Sequence, residues 1–292
     1  MSLISKLPGP LLVFLGAFCL SFGGLIVKSF EGATLWQILF WRQLFFVILV
    51  SIFLLYTYKK KILVAMYQSG LPGFIGGIIL GLGFSAYVFA MYNTTVANTN
   101  FIISLQILFL AVFGYFFLKE KISPITLFSI ILAMAGVLLM VGNSLTPGEL
   151  TGNLAAFSMP ITFAVLIIVV RKYPSIDMVP AQFVAGICCC IIGYILSNKI
   201  MISYHDIFLG FLAGFFQIGF GFIFITIGAR TTPSAMVGII MLSESVLGPL
   251  WAFLFVSERP SIFSLIGGAT ILLAVLIQFY TLMKKSEKTI SH

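Results

Sequence analysis

Two charged residues lie deep inside long apolar stretches of this 292-residue chain, and they carry opposite signs. Arg42 sits in WQILFWRQLFF, and Glu244 is the only charged residue between Thr231 and Ser257. A guanidinium presents a fork of donors that suits a carboxylate or a phosphate. A carboxylate in such a segment can hold an amine or carry a proton. Together the two would recognise a small zwitterion or anion. They could equally pair with each other or with neighbours as a structural lock, and the sequence leaves both readings open. Gln217 lies near mid-depth of its segment, and Gln106 stands 138 positions before Glu244. Either amide can hydrogen-bond a ligand or a neighbouring helix. Trp41, Tyr87 and Trp251 are candidates to line the same cavity, although aromatic side chains also serve as packing and as interfacial anchors.

Other chemistries lack their parts. Only two histidines are present, His205 and His292, so no histidine metal site is expected. Of four cysteines, Cys188, Cys189 and Cys190 are consecutive and Cys19 stands alone, which suits small apolar packing and no disulfide framework. No glycine loop of the Walker type occurs, so no ATP-driven pump is expected. A lipid-modifying enzyme would need paired carboxylates or a His with a Cys at an interface, and none is visible. The expectation is no catalytic residue, no metal and no cofactor.

The elements that must position Arg42 and Glu244 follow from composition. Hydrophobic residues make up 61% of the chain and charged residues 8%, with a mean hydropathy of +1.17. Soluble domains carry about 25% charged residues, so the solvent here is lipid. Charges cluster between long uncharged runs, and Ile62–Leu118 holds 57 residues without one. A helix needs about 20 apolar residues to cross roughly 30 Å of hydrocarbon. Continuous apolar runs without alternation predict helices, not barrel strands. The runs divide into ten spans: 9–27, 34–57, 70–92, 98–118, 124–142, 151–170, 179–197, 207–228, 233–256 and 261–283. Tyr92–Asn100 is expected to form the turn inside the longest run.

Lysine and arginine set the orientation. With the N-terminus inside, Lys6, Lys59–Lys61, Lys119, Lys121, Arg171, Lys172, Arg230, Lys284, Lys285 and Lys288 fall on the cytoplasmic side, twelve in all. Lys28, Lys199 and Arg259 fall outside. This positive-inside bias predicts a multi-pass protein with both termini cytoplasmic. The net charge of +8 therefore reads as membrane orientation, with no nucleic-acid partner. By a rise of about 1.5 Å per residue, Arg42 lies roughly 12 Å from the outer end of its span and Glu244 roughly 16 Å from the inner end of its own. Both then sit near or a little outside the midplane, where an unpaired charge costs at least about 2.5–3.5 kcal/mol unless it faces the bundle interior or water.

The chain also repeats. A shift of 138 places Gly76 on Gly214, Gly83-Phe84 on Gly221-Phe222, Thr94 on Thr232, Ala97 on Ala235, Glu120 on Glu258 and Leu127 on Leu265. Five spans per half is an odd number, so the second half must be inserted inverted. Secondary transporters recur in this architecture, with the substrate site near the midplane between repeats. The expected fold is all-α and integral to the membrane, with ten transmembrane helices in two inverted five-helix repeats, 1–145 and 146–292. Glu120 and Glu258 are expected to brace helix ends.

Five plus five helices, an arginine early in the second span, and a glutamate after a span in both halves (FFLKEKIS, LFVSERPS) resemble the drug/metabolite transporter superfamily, EamA type. SESVLGPLWAFLFVSERPS resembles that family's ninth helix, with Ser245 where proline is usual. Pro249 is expected to supply the helix irregularity instead. SLQILF likewise stands where a proline is common in the fourth helix. The resemblance implies a bacterial inner-membrane carrier of a small metabolite, an amino acid or related amine, exported by alternating access with protons as a possible coupling ion. It is compatible with a monomer or a weak homodimer. Uptake or exchange of S-adenosylmethionine or a nucleotide-type metabolite is the alternative transport reading. A membrane-embedded assembly subunit or enzyme is the alternative of another class.

Overall fold

Apolar runs become helices where the charge gaps predict them. The computed structural model describes residues 7–93, 96–141, 150–256 and 262–290, and every regular element among them is helical. Along the first half run α1 (Gly9–Leu20), α2 (Gly23–Lys28), α3 (Leu35–Tyr58), α4 (Ile62–Asn93), α5 (Val96–Ser104), α6 (Gln106–Leu118) and α7 (Pro124–Val141). The second half has α8 (Leu150–Lys172), α9 (Val179–Leu196), α10 (Tyr204–Phe211), a π segment (Leu212–Phe220), α11 (Gly221–Ala229), α12 (Ser234–Met241), α13 (Ser243–Val256) and α14 (Ile262–Ile290). Six stretches are long and apolar enough to cross a membrane: 9–27, 35–58, 62–93, 151–172, 179–196 and 204–229. Shorter apolar helices cover 102–118, 124–139, 234–248 and 265–277. The outer skin is apolar, with Ile195 71% and Leu276 64% exposed, as a lipid-facing surface requires. The chain is a membrane-embedded, multi-pass protein.

Several spans are not continuous helices. The first breaks at Ser21 and Phe22, and α5 meets α6 through Leu105, as α12 meets α13 through Leu242. At Gly70, φ is 56°, a left-handed value that glycine adopts without strain, and the kink divides α4. The irregularity expected at Pro249 lies instead at Leu242, seven residues earlier, and α13 runs unbroken past Pro249. Most of the expected turn at Tyr92–Asn100 is helical, since α4 extends to Asn93 and α5 begins at Val96; residues 94–95 lie outside the described residues.

Side-chain contacts at the helix ends fix their directions. Arg171, at the end of α8, gives Nε (2.9 Å) and Nη2 (2.6 Å) to Glu120 Oε1, just past α6. Glu120 Oε2 also accepts the Ser234 backbone N–H that opens α12 (2.9 Å). Arg230, past α11, pairs with Asp177, which precedes α9 and accepts the Tyr58 hydroxyl at the end of α3 (2.6 Å). At the opposite end, Asp206 in the first turn of α10 accepts the backbone N–H groups of Glu31 and Gly32. There the Gln37 and Trp41 side chains also donate to the 199–201 loop. Thus α3 and α9 run in opposite directions, as do α6 and α12. Glu120 braces a helix end, as its position suggests; Glu258 lies outside the described residues.

The main packing pairs are α7 on α14, α4 on α8, α3 on α9, α4 on α9 and α1 on α11, with α6 packed on both α8 and α12. Close approach needs glycine where α7 meets α14: a Cβ on Gly136 would stand 2.8 Å from the Gly267 carbonyl. The buried core runs through Leu39, Phe46, Leu110, Leu166, Ile167, Ile223 and Val237, all at or below 1% exposure, and surrounds the site on one side. The cysteines are free, and the Cys189 thiol donates to the Gly81 carbonyl at 3.0 Å, which is packing and not chemistry.

Candidate functional site

Arg42 lies two turns into α3 and is 2% exposed, so its charge is held away from water. Its guanidinium carbon stands 4.9 Å from the centre of the Tyr87 ring, a cation–π distance. Nη2 donates to Gln217 Oε1 at 3.3 Å, while Nε and Nη1 are buried without a hydrogen-bond partner. A buried guanidinium with idle donors is costly, and native structures keep such groups where something else satisfies them.

Gln217 reaches Arg42 because the chain between α10 and α11 is wound as a π-helix, a form concentrated at functional sites. Gly214 permits the approach: a Cβ there would collide with the Arg42 backbone carbonyl. The Gln217 amide nitrogen donates to the Leu20 carbonyl at 3.3 Å, at the end of α1.

Glu244 enters from the first turn of α13, where the positive end of the helix favours a carboxylate. Its side chain is partly buried and has no hydrogen bond or ion pair among the described residues. In particular, no ion pair joins it to Arg42. Gln106 opens α6 in the same way and is 4% exposed. The two helix breaks are tied together by Ser104 Oγ and Ser245 Oγ, 2.9 Å apart.

These residues surround one cavity. Arg42, Tyr87, Gln106, Gln217 and Glu244 all line it, so five of the seven sequence-derived candidates are brought together. Trp41 and Trp251 are not. The Trp41 indole donates to the Ile200 carbonyl at 2.8 Å, in the loop at the Asp206 end. The Trp251 indole donates to Ser21 Oγ at 2.8 Å and stacks on Phe22 at 4.6 Å. In each case the polar edge has found a partner outside the cavity, which fixes the ring there. Sequence reasoning missed the apolar wall: Leu80, Phe84, Ile103, Phe163, Ile218, Phe222 and Met241, with Met159 and Thr162 beside them. Phe84 meets Phe222 edge-to-face at 4.7 Å, and Phe163 meets Phe222 at 6.1 Å. The 138-residue shift held the missing signal. Leu80 and Ile218, Phe84 and Phe222, Ile103 and Met241, Gln106 and Glu244 are four pairs at that spacing, and all eight residues line the cavity. Arg42 has no such counterpart in the lining.

The arrangement offers one free cation, one free carboxylate, two amides and an aromatic wall. Among the described residues no three His, Cys, Asp or Glu side chains gather to hold a metal. What the cavity can do is bind a small molecule by both poles of charge.

The sequence matches the model of the EamA-like transporter family twice, over residues 7–142 and 146–280. It is similar to an uncharacterized transporter of Methanothermobacter thermautotrophicus, 24% identical over 206 residues, which cover 64% of this chain and 58% of that protein. It is also similar to purine permease 2 of Arabidopsis thaliana, 35% identical over 77 residues, covering 25% of this chain and 22% of that one. Both matches thus span less than two thirds of the relative's length. A protein of known crystal structure shares the fold, with a TM-score of 0.80 at 17% identity, over 94% of this chain and 98% of the other.

Proposed function

This chain belongs to the EamA-like transporter family, and from that membership we propose that it is a secondary carrier, not an enzyme. Its substrate is a small zwitterion, an amino acid or related amine, exported across a bacterial inner membrane by alternating access. The observation that carries this reading is Arg42, 2% exposed, with Nε and Nη1 unpartnered, facing the same cavity as an unpartnered Glu244. A substrate carboxylate supplies what the guanidinium lacks, and its amine supplies what Glu244 lacks. Protons are the coupling ion this reading assigns, with Glu244 as the group that would carry them.

Ten spans in two inverted halves, divided near 145/146, complete the proposal. Supporting the inversion, related helices run oppositely, as α3 against α9, and contacts recur in pairs: α1 on α11 is matched by α8 on α4 after the 138-residue shift. Both termini are then cytoplasmic, and the ion-pair cluster around Glu120 lies on the cytoplasmic side.

A second reading has a specific observation behind it. Phe84, Phe163, Phe222 and Tyr87 form an aromatic wall, and one relative is a purine permease. A purine-bearing zwitterion such as S-adenosylmethionine would place its ring there, taken up or exchanged. Phosphate-rich nucleotides fit less well, because Arg42 is the one cation lining the cavity among the described residues. Counterflow in liposomes preloaded with amino acids, or with S-adenosylmethionine, separates the two. A folded, reconstituted protein that exchanges neither would overturn both.

A further inference from the structure

The first span is broken where the site touches it. Leu20 ends α1, Ser21 and Phe22 leave the helix, and Gly23 begins α2. Helical continuity would give the Leu20 carbonyl the N–H of Gly24, four residues on. The Gln217 amide also reaches that carbonyl, at 3.3 Å. The other end of the same amide accepts from Arg42 at 3.3 Å. Gln217 is thus a bridge of two hydrogen bonds between the buried guanidinium and the carbonyl that ends α1.

A second arm reaches Ser21 and Phe22 from the Glu244 side. Trp251 lies seven residues after Glu244, two turns along one face of α13. Its indole donates to Ser21 Oγ at 2.8 Å and stacks on Phe22. Space around the break is already full. A Cβ on Gly23 would stand 2.6 Å from Gln217 Nε2 and 3.0 Å from the Tyr87 hydroxyl.

We propose that Gln217 is a positioning residue that couples Arg42 to the break between α1 and α2, making that break the hinge through which site occupancy moves the first span. When an anionic group engages the guanidinium, it competes with Gln217 Oε1 for Nη2. Gln217 then turns and releases the Leu20 carbonyl, which frees the break to change the angle between α1 and α2. The role rests on reading Arg42 and Glu244 as the poles of a transport site, but its test needs no substrate.

Cys19 is a free thiol, half-buried, one residue before Leu20. Labelling of the full chain in liposomes with a small maleimide, quantified residue by residue by mass spectrometry, reports the hinge, with Cys188 as the reference. Gln217→Leu removes both arms. Gln217→Glu keeps the acceptor for Arg42 but loses the donor to Leu20. Gly23→Ala presses the break off Gln217 without altering the amide. All three should change Cys19 labelling several-fold in the same direction and leave Cys188 unchanged. Arg42→Met should do likewise and add nothing in combination with Gln217→Leu. Equal changes at Cys19 and Cys188 would reduce Gln217 to general packing and overturn the proposal. So would a Gln217→Glu protein that labels like the wild type. A carrier that moves no zwitterion while its hinge responds as described would sink the transport reading alone.

Discussion

Arg42 and Glu244 line one cavity without touching: no ion pair joins them, although each is the charge nearest to the other's need. Arg42 spends one guanidinium nitrogen on Gln217 and leaves two idle. A structural lock would have the opposite geometry, with the fork closed on the carboxylate. The two charges are held apart by the helices that carry them, α3 and α13, and this spacing makes the lock and the binding site distinguishable by experiment.

Glu244→Gln is the first such experiment. Because no ion pair is broken, stability should change by less than about 1 kcal/mol, whereas loss of a lock would cost about 3–5 kcal/mol. Affinity for an amine-bearing substrate should fall. If Glu244 also carries the coupling proton, gradient-driven accumulation disappears while substrate exchange persists. Melting temperature, accumulation and exchange on one preparation read all of this, and a variant unchanged in every one removes Glu244 from function.

Arg42→Met should separate binding from folding in the opposite sense. The native side chain buries unsatisfied donors, and an apolar replacement of similar reach is expected to leave stability unchanged or raise it by about 1–3 kcal/mol. Affinity for a carboxylate-bearing substrate should fall by about 2–5 kcal/mol, the usual cost of truncating one partner of a buried charge pair. A destabilised variant with normal affinity would make Arg42 a packing residue.

Glu120 should behave differently from both. Its carboxylate takes two bonds from Arg171 and one from the Ser234 N–H. Glu120→Ala takes the carboxylate from the partly buried Arg171 guanidinium, which keeps only the Arg230 carbonyl, and leaves the Ser234 N–H without its acceptor, at a cost of about 1.5–3 kcal/mol. A double-mutant cycle with Arg171→Ala, followed by thermal unfolding in detergent, should show the two losses to be less than additive.

Topology is checked at the far end of the chain. A phosphatase joined after His292 should be inactive and a fluorescent protein joined there bright, since both termini are expected in the cytoplasm. The reverse pattern would invert every span.

The apolar helices were legible because charge gaps mark them, and Arg42 and Glu244 stood out as single charges inside those gaps. Gln106 was legible only as the partner of Glu244 under the 138-residue shift. Phe84 and Phe222 lay in the same alignment, yet an apolar residue in an apolar span carries no mark of which side it faces. Trp41 and Trp251 illustrate the same limit: an indole N–H pairs with whichever oxygen lies near, here Ile200 and Ser21, and no periodicity fixes that choice. The breaks at Leu105 and Leu242 have no glycine or proline at the break itself. Contacts between the spans, such as Ser104 with Ser245, hold these breaks, and such contacts are invisible to local reading.

The π winding of Leu212–Phe220 has a consequence for how this chain tolerates change of length. A π turn holds more residues than an α turn spans, so this stretch stores slack that no other described helix of the chain stores in that form. Deleting one residue from an ordinary span rotates everything beyond it by about 100° and scrambles its buried face. Deleting one here can be absorbed by tightening the winding, so α10 and α11 keep their neighbours. Gln217 cannot keep its own: it swings off Arg42 as the turn closes. The folded bundle and the bridge to the first span therefore part company at this one stretch, where a shortened chain can remain intact and lose its coupling.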